Sequence, residues 1–201
     1  MVDEGTIKFS SQRRDGAVPA SAALEELNQC RTALFELGLI GVLPDGIGYG
    51  NLSVRNAGLQ FVISASATGA HRVLRMDQYS LVEAFSIEAN RVQSVGRLPA
   101  SSESMTHGAI YAADPAVRCV IHVHSRVLFD GLLQPHGAAT AADVPYGTPA
   151  MARAVAALVT AQAQLPALFA MAGHQDGVVA YGSNIASTYA LVSDTLRRIS
   201  T

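Results

Sequence analysis

The chain has 201 residues, 49% of them hydrophobic and 15% charged, with a formal net charge of -2. That length suits one domain with a substantial buried core, and the near-neutral charge offers no basic field for wrapping nucleic acid. No apolar run approaches the roughly 20 residues of a membrane-spanning helix, and the N-terminus lacks the basic-then-apolar pattern of a secretion signal. A cytoplasmic protein that binds neither nucleic acid nor membrane is therefore expected. The only two cysteines, Cys30 and Cys119, lie in apolar contexts and read as buried reduced thiols.

Residues 1–20 are polar and irregular, and read as a tail or an arm lying on a neighbour. A single domain is expected over residues 21–201. Leu24, Leu27, Ala33, Leu34, Leu37 and Ile40 recur at helical spacing behind a capping Ser21, and Gly38 and Gly41 end that helix. Two extended runs, 48–55 and 59–64, flank the turn signal Asn56-Ala57-Gly58. A short helical piece is expected over 72–77, then a hairpin of 79–87 with 91–95. Pro99 precedes a helix over 101–113, stopped by Asp114-Pro115. A β-branched strand follows over 117–123, a helix over 125–133 and a long loop over 134–148. Pro149 opens a helix running to about Ala163. Strands over 168–171 and 178–181 lead to a last helix capped by Ser183 and ending near Arg198. Early hairpins with interspersed helices indicate an α/β fold with a mixed or mainly antiparallel central sheet and helices on its faces. The absence of a glycine fingerprint after a first strand argues against a dinucleotide fold.

The sharpest chemical feature is Ile121-His122-Val123-His124 at a strand end. Side chains two apart in a strand share a face, so both imidazoles can converge on one metal ion while Cys119, Ile121 and Val123 face the other way. A packed, non-ligating histidine pair is the competing reading. Ser101-Ser102-Glu103 opens a helix, with His107 four residues on; hydroxyls and free amides there suit an anion, or serve only as a cap. Glu103 with His107 also reads as a surface pair. His174, in Ala172-Gly173-His174-Gln175-Asp176-Gly177, supplies a third imidazole from a turn. Gly48-Tyr49-Gly50-Asn51-Leu52-Ser53 and Ser64-Ala65-Ser66-Ala67-Thr68-Gly69 place amide, hydroxyl and glycine groups where apolar residues are usual; each suits an anion, or forms a bulge or an ordinary loop. His71 and His136 read as surface histidines, and Tyr111 as a packing residue.

In this order and spacing, with Val144-Pro145-Tyr146-Gly147-Thr148 between the last two histidine motifs, the chain resembles the class II aldolase and adducin family from about residue 21 to residue 198. The loop at 64–69 departs from the family's usual Thr-Pro-Ser-Gly, and His174 from its usual Asn-His-Gly. The resemblance implies a three-layer α/β/α fold with a mainly antiparallel sheet, and a homo-oligomer, commonly a tetramer. It implies zinc, or another divalent transition metal, on His122, His124 and His174. Glu103 is the implied acid/base, and Asn51, Ser66, Thr68, Gly69, Ser101 and Ser102 the implied substrate or phosphate contacts.

Three neutral imidazoles leave a zinc position open to a small-molecule substrate. The expected activity is an aldolase-type lyase on a small hydroxy-carbonyl compound such as a sugar phosphate, through a metal-stabilised enediolate. Epimerisation, dehydration and decarboxylation use the same apparatus. A non-catalytic adducin-like scaffold is the contrasting expectation, and retention of all three histidines and the acid counts against it. A structural metal site would prefer four ligands, and Cys119 faces away.

Overall fold

The computed structural model describes residues 5–162 and 164–199. The helix end expected at Ala163 lies outside the described residues, as do the first four residues of the expected arm and the last two of the chain. The segment read as a polar arm contributes strand β1 (Ser10–Arg14), all of whose residues are exposed. With no buried face, it carries no alternating pattern to announce it.

Helix α1 (Ala22–Glu36) starts where its cap predicts, with Leu24 N donating to Ser21 Oγ at 3.1 Å. It buries Leu24, Leu27, Cys30, Arg31 and Leu34. A small hairpin of β2 (Gly41–Val42) and β3 (Gly48–Tyr49) leads into β4 (Asn51–Arg55), β5 (Phe61–Ser64), β6 (Tyr79–Ser86) and β7 (Arg91–Val95). Then come α2 (Ser104–Ala113), β8 (Cys119–His124), α3 (Arg126–Leu132), α4 (Pro149–Ala161), β9 (Ala167–Ala170), β10 (Gly177–Gly182) and α5 (Ile185–Ile199).

Eight strands form one sheet in the order β1-β7-β6-β5-β4-β8-β10-β9. β1 pairs with β7 in parallel, and the other neighbours run antiparallel. The fold is thus α/β, a mixed central sheet with five helices among the described residues. Strand alternation divides the core. Leu52, Val54, Cys119, Ile121, Val123, Val178 and Ala180 pack with residues of α1, α3 and α5. Phe61, Ile63, Val120, Val179 and Tyr181 pack with residues of α2 and α4. Each fully buried Leu, Ile, Val or Phe among these stabilises by about 1.5–3 kcal/mol. Cys30 and Cys119 are free and buried, and burial, helped by Glu26, raises the Cys30 thiol to about 12. No helix among the described residues is long and apolar enough to cross a membrane.

Two local expectations shift. The helix expected from Ser101 starts at Ser104, because the amide and hydroxyl of Ser104 both donate to the Ser101 carbonyl, at 3.0 and 2.7 Å, and close a separate turn. Glu103 therefore occupies the position before the helix rather than its first turn. The helix expected over 72–77 is a single 3-10 turn, Met76–Gln78, held by Arg75 N donating to Gln78 Oε1 at 2.9 Å.

Candidate metal centre and anion cleft

β8 runs between β4 and β10, so its His122 is opposite Asn51 on one side and Val179 on the other, and His124 is opposite Gly177. His174 comes from the turn joining β9 to β10. That turn is closed by His174 N donating to the Met171 carbonyl (2.8 Å) and Gly177 N to the His174 carbonyl (3.0 Å). Gly173 makes room for the neighbouring loop: a Cβ there would stand 1.8 Å from the Val144 carbonyl oxygen. The result is convergence. One ligand atom from each of His122, His124 and His174 lies within 4.8 Å of the others.

The donor set fits a divalent cation. His122 Nε2 is buried with no hydrogen-bond partner among the described residues, an arrangement that costs about 1–3 kcal/mol if nothing engages it. Burial first, then the neighbouring His174, His124 and His107, pushes the His122 pKa well below its usual value. The ring is therefore neutral with a lone pair to give, the state a metal requires. His122 Nδ1 lies 3.3 Å from Asn51 Nδ2. The His174 ring stacks on Tyr146 with centroids 4.3 Å apart, and Lys8 Nζ sits 3.8 Å from the Tyr146 ring centroid.

Glu103 is 2% exposed, with Oε1 3.8 Å from His174 Nδ1. The surface-pair reading of Glu103 with His107 gives way, since His107 is buried too. His107 Nδ1 is 2.7 Å from Ser53 Oγ, which is 2.8 Å from the Tyr111 hydroxyl. Burial lowers the His107 pKa to about 3. This neutral, hydrogen-bonded imidazole stands outside the three-histidine group.

Beside the histidines lies a cleft of about 340 Å3. All six residues implicated in substrate or phosphate contact line it: Asn51, Ser66, Thr68, Gly69, Ser101 and Ser102. Gly69 has no room for a side chain, because a Cβ would stand 2.2 Å from the Gly41 carbonyl oxygen. Asn51 belongs to both regions, lining the cleft while contacting His122.

Several neighbours of the site are not among the candidates that the sequence motifs mark. Thr6 and Ile47 also line the cleft, and Tyr49 lies against His124 with centroids 5.3 Å apart. Tyr146 sits in a motif that marked the resemblance without carrying a role. Lys8 belongs to no motif.

Residues 43–196 match the family described as Class II Aldolase and Adducin N-terminal domain. The chain belongs to this family. Among solved structures, L-fuculose-1-phosphate aldolase from Thermus thermophilus shares 23% identity over 88% of this chain and 90% of its own, with a TM-score of 0.60. YgbL from Klebsiella pneumoniae shares 21% identity over 88% and 86%, with a TM-score of 0.64. A sugar-phosphate aldolase from Thermotoga maritima shares 16% over 89% and 92%, with a TM-score of 0.63. At these identities the likeness is one of fold. No curated protein sequence matches the chain. Members of the class II aldolase and adducin family share a scaffold rather than a reaction, so the site's own chemistry must carry the functional argument.

Proposed function

We propose that the chain is a divalent-metal-dependent aldolase-type lyase, zinc being the expected metal, acting on a small hydroxy-carbonyl compound that carries an anionic group such as phosphate. The observation that carries this reading is the convergence of three imidazoles within 4.8 Å, with buried Glu103 3.8 Å from one of them. His122, His124 and His174 hold the cation, which when bound supplies Lewis-acid stabilisation of the negative charge that develops as a C–C bond breaks. Glu103 moves the proton between substrate carbons or oxygens at the same face. Asn51, Ser66, Thr68, Gly69, Ser101 and Ser102 hold the anionic end and so fix the distance from that end to the reacting carbons.

Asn51 has a further part in this reading. For His122 Nε2 to offer its lone pair, the ring proton must sit on Nδ1 and donate to an acceptor. Turning the Asn51 amide by half a rotation presents Oδ1 to that proton. Oδ1 is buried with no partner among the described residues, so the turn gives it the Nδ1 proton and moves Nδ2 to the position that Oδ1 leaves.

The three-layer arrangement, a homotetramer and a cytoplasmic setting complete the proposal. The test is elemental analysis of the purified protein beside a His122→Ala/His124→Ala variant. About one divalent ion per chain, lost in the variant, supports the site and opens the choice among aldol cleavage, epimerisation, dehydration and decarboxylation to a substrate panel. No metal in the native protein, and none taken up from zinc, cobalt or manganese, overturns the enzyme reading in favour of an adducin-like scaffold.

A further inference from the structure

The anion cleft has no lysine or arginine among the residues that line it, yet a buried cation stands directly behind it. Arg31, on α1, is 1% exposed. Its Nη2 donates to the Thr68 carbonyl at 3.0 Å, and its Nη1 donates to the carbonyls of His71 and Arg72 at 2.7 and 3.2 Å. No carboxylate pairs with it among the described residues. Burying a guanidinium without a counter-ion is costly, and carbonyl dipoles repay only part of that cost.

The peptide unit turns this placement into chemistry. A trans peptide points its C=O and the next N–H in opposite directions. With the Thr68 carbonyl aimed at Arg31, the Gly69 N–H is aimed away from Arg31. Gly69 lines the cleft, and its N–H meets no backbone carbonyl among the described residues. A cation bonded to the oxygen of an amide polarises that amide and strengthens its N–H as a donor. In a low-dielectric setting the unpaired charge also acts through space.

Resting on the anion-cleft reading above, we propose that Arg31 is the charge partner of the substrate's anionic group, acting as a positioning residue through the Thr68–Gly69 peptide rather than by touching the anion. The missing counter-ion of Arg31 is then the substrate itself. The site prefers a phosphate or carboxylate over a neutral polar group because only an anion balances the buried charge.

The probe is inorganic phosphate titrated into 15N-labelled, zinc-loaded protein, with Arg31→Met and Arg31→Lys alongside. Bound zinc and melting temperature are measured for each. In the native protein phosphate binds and moves the Gly69 amide proton downfield. Arg31→Met weakens phosphate roughly tenfold or more and removes the Gly69 shift, with zinc content unchanged. Arg31→Lys keeps the charge but cannot span three carbonyls, so it falls between the two; it serves as the deciding variant if Arg31→Met does not fold. Native-like phosphate affinity and Gly69 shift in whichever variant folds overturn the role of Arg31, as does weaker binding with the Gly69 shift intact. A native protein that holds zinc but shows no Gly69 response to phosphate overturns the anion-cleft reading, and Arg31's part with it, while leaving the metal centre standing.

Discussion

The histidine centre and the adjoining cleft meet at Asn51 but are built from different material. The centre is made of side chains, three imidazoles and a carboxylate brought together from β8, the β9–β10 turn and the approach to α2. The cleft is made largely of main chain and short hydroxyl groups, held in place from behind by Arg31. A side-chain site fails when one ligand is changed. A main-chain site fails when its backbone moves, and the residues that control its backbone need not touch the ligand. The two regions should therefore respond to different substitutions in different ways.

The largest separation is expected from Glu103→Gln. Removing a positioned acid/base typically costs roughly 10²–10⁴ in turnover, while metal content and phosphate binding stay native. A variant that keeps full metal and full turnover on the true substrate would dismiss Glu103 from the chemistry. Next comes Asn51→Ala, the one change expected to damage both regions. Loss of the group that orients His122 should weaken metal affinity about 10–100-fold, read by competition with a chelator, and phosphate affinity should fall as well. Damage confined to one region would show that Asn51 does not join them. Gly69→Ala should act on the cleft alone. Its Cβ would stand 2.2 Å from the Gly41 carbonyl oxygen, so the loop must move, at about 1–3 kcal/mol of stability. Calorimetry should show a lower melting temperature, and elemental analysis an unchanged metal content.

The smallest effect is one of pH. His107 titrates at about 3 in the fold and near ~6.5 in the unfolded chain. Between those values the unfolded state binds more protons, so the stability His107 contributes is complete above about 6.5 and declines as pH falls toward 3. His122 pushes in the same direction. Urea midpoints of the metal-free protein should drop from about pH 7 to about pH 4, and less steeply in His107→Gln. Equal slopes in the two proteins would mean that His107 is protonated without cost.

The two regions were also unequally legible in the sequence. Two-residue periodicity placed His122 and His124 on one face and Cys119 on the other, and the structure has that arrangement. His174 was a turn histidine with weak local evidence; motif order made it a ligand candidate. The cleft residues could be named from small-residue motifs, but Arg31 could not. An arginine in a helix carries no sequence mark separating a solvent-facing guanidinium from one buried against loop carbonyls. β1 escaped for the opposite reason: all five of its residues are exposed, and edge pairing with β7 leaves no periodic trace. The start of α2 was misplaced because Ser101 and Ser104 close a turn whose residue types suit a cap equally well.

The pairing of β1 with β7 bears on the order in which the molecule is assembled. Ser10 finds its partner only at Arg91, and the Lys8 ammonium meets the Tyr146 carbonyl across 138 positions of chain. Tyr146 in turn backs His174. During synthesis Ser10 must wait for Arg91 and Lys8 for Tyr146, and contacts of such long range form late because the intervening loop must close first. The centre is thus a product of completed folding: a nascent or truncated chain that has made β4 and β8 but not the β9–β10 turn presents two imidazoles and no third. Metal uptake at the proposed centre is expected to report that the β9–β10 turn has closed.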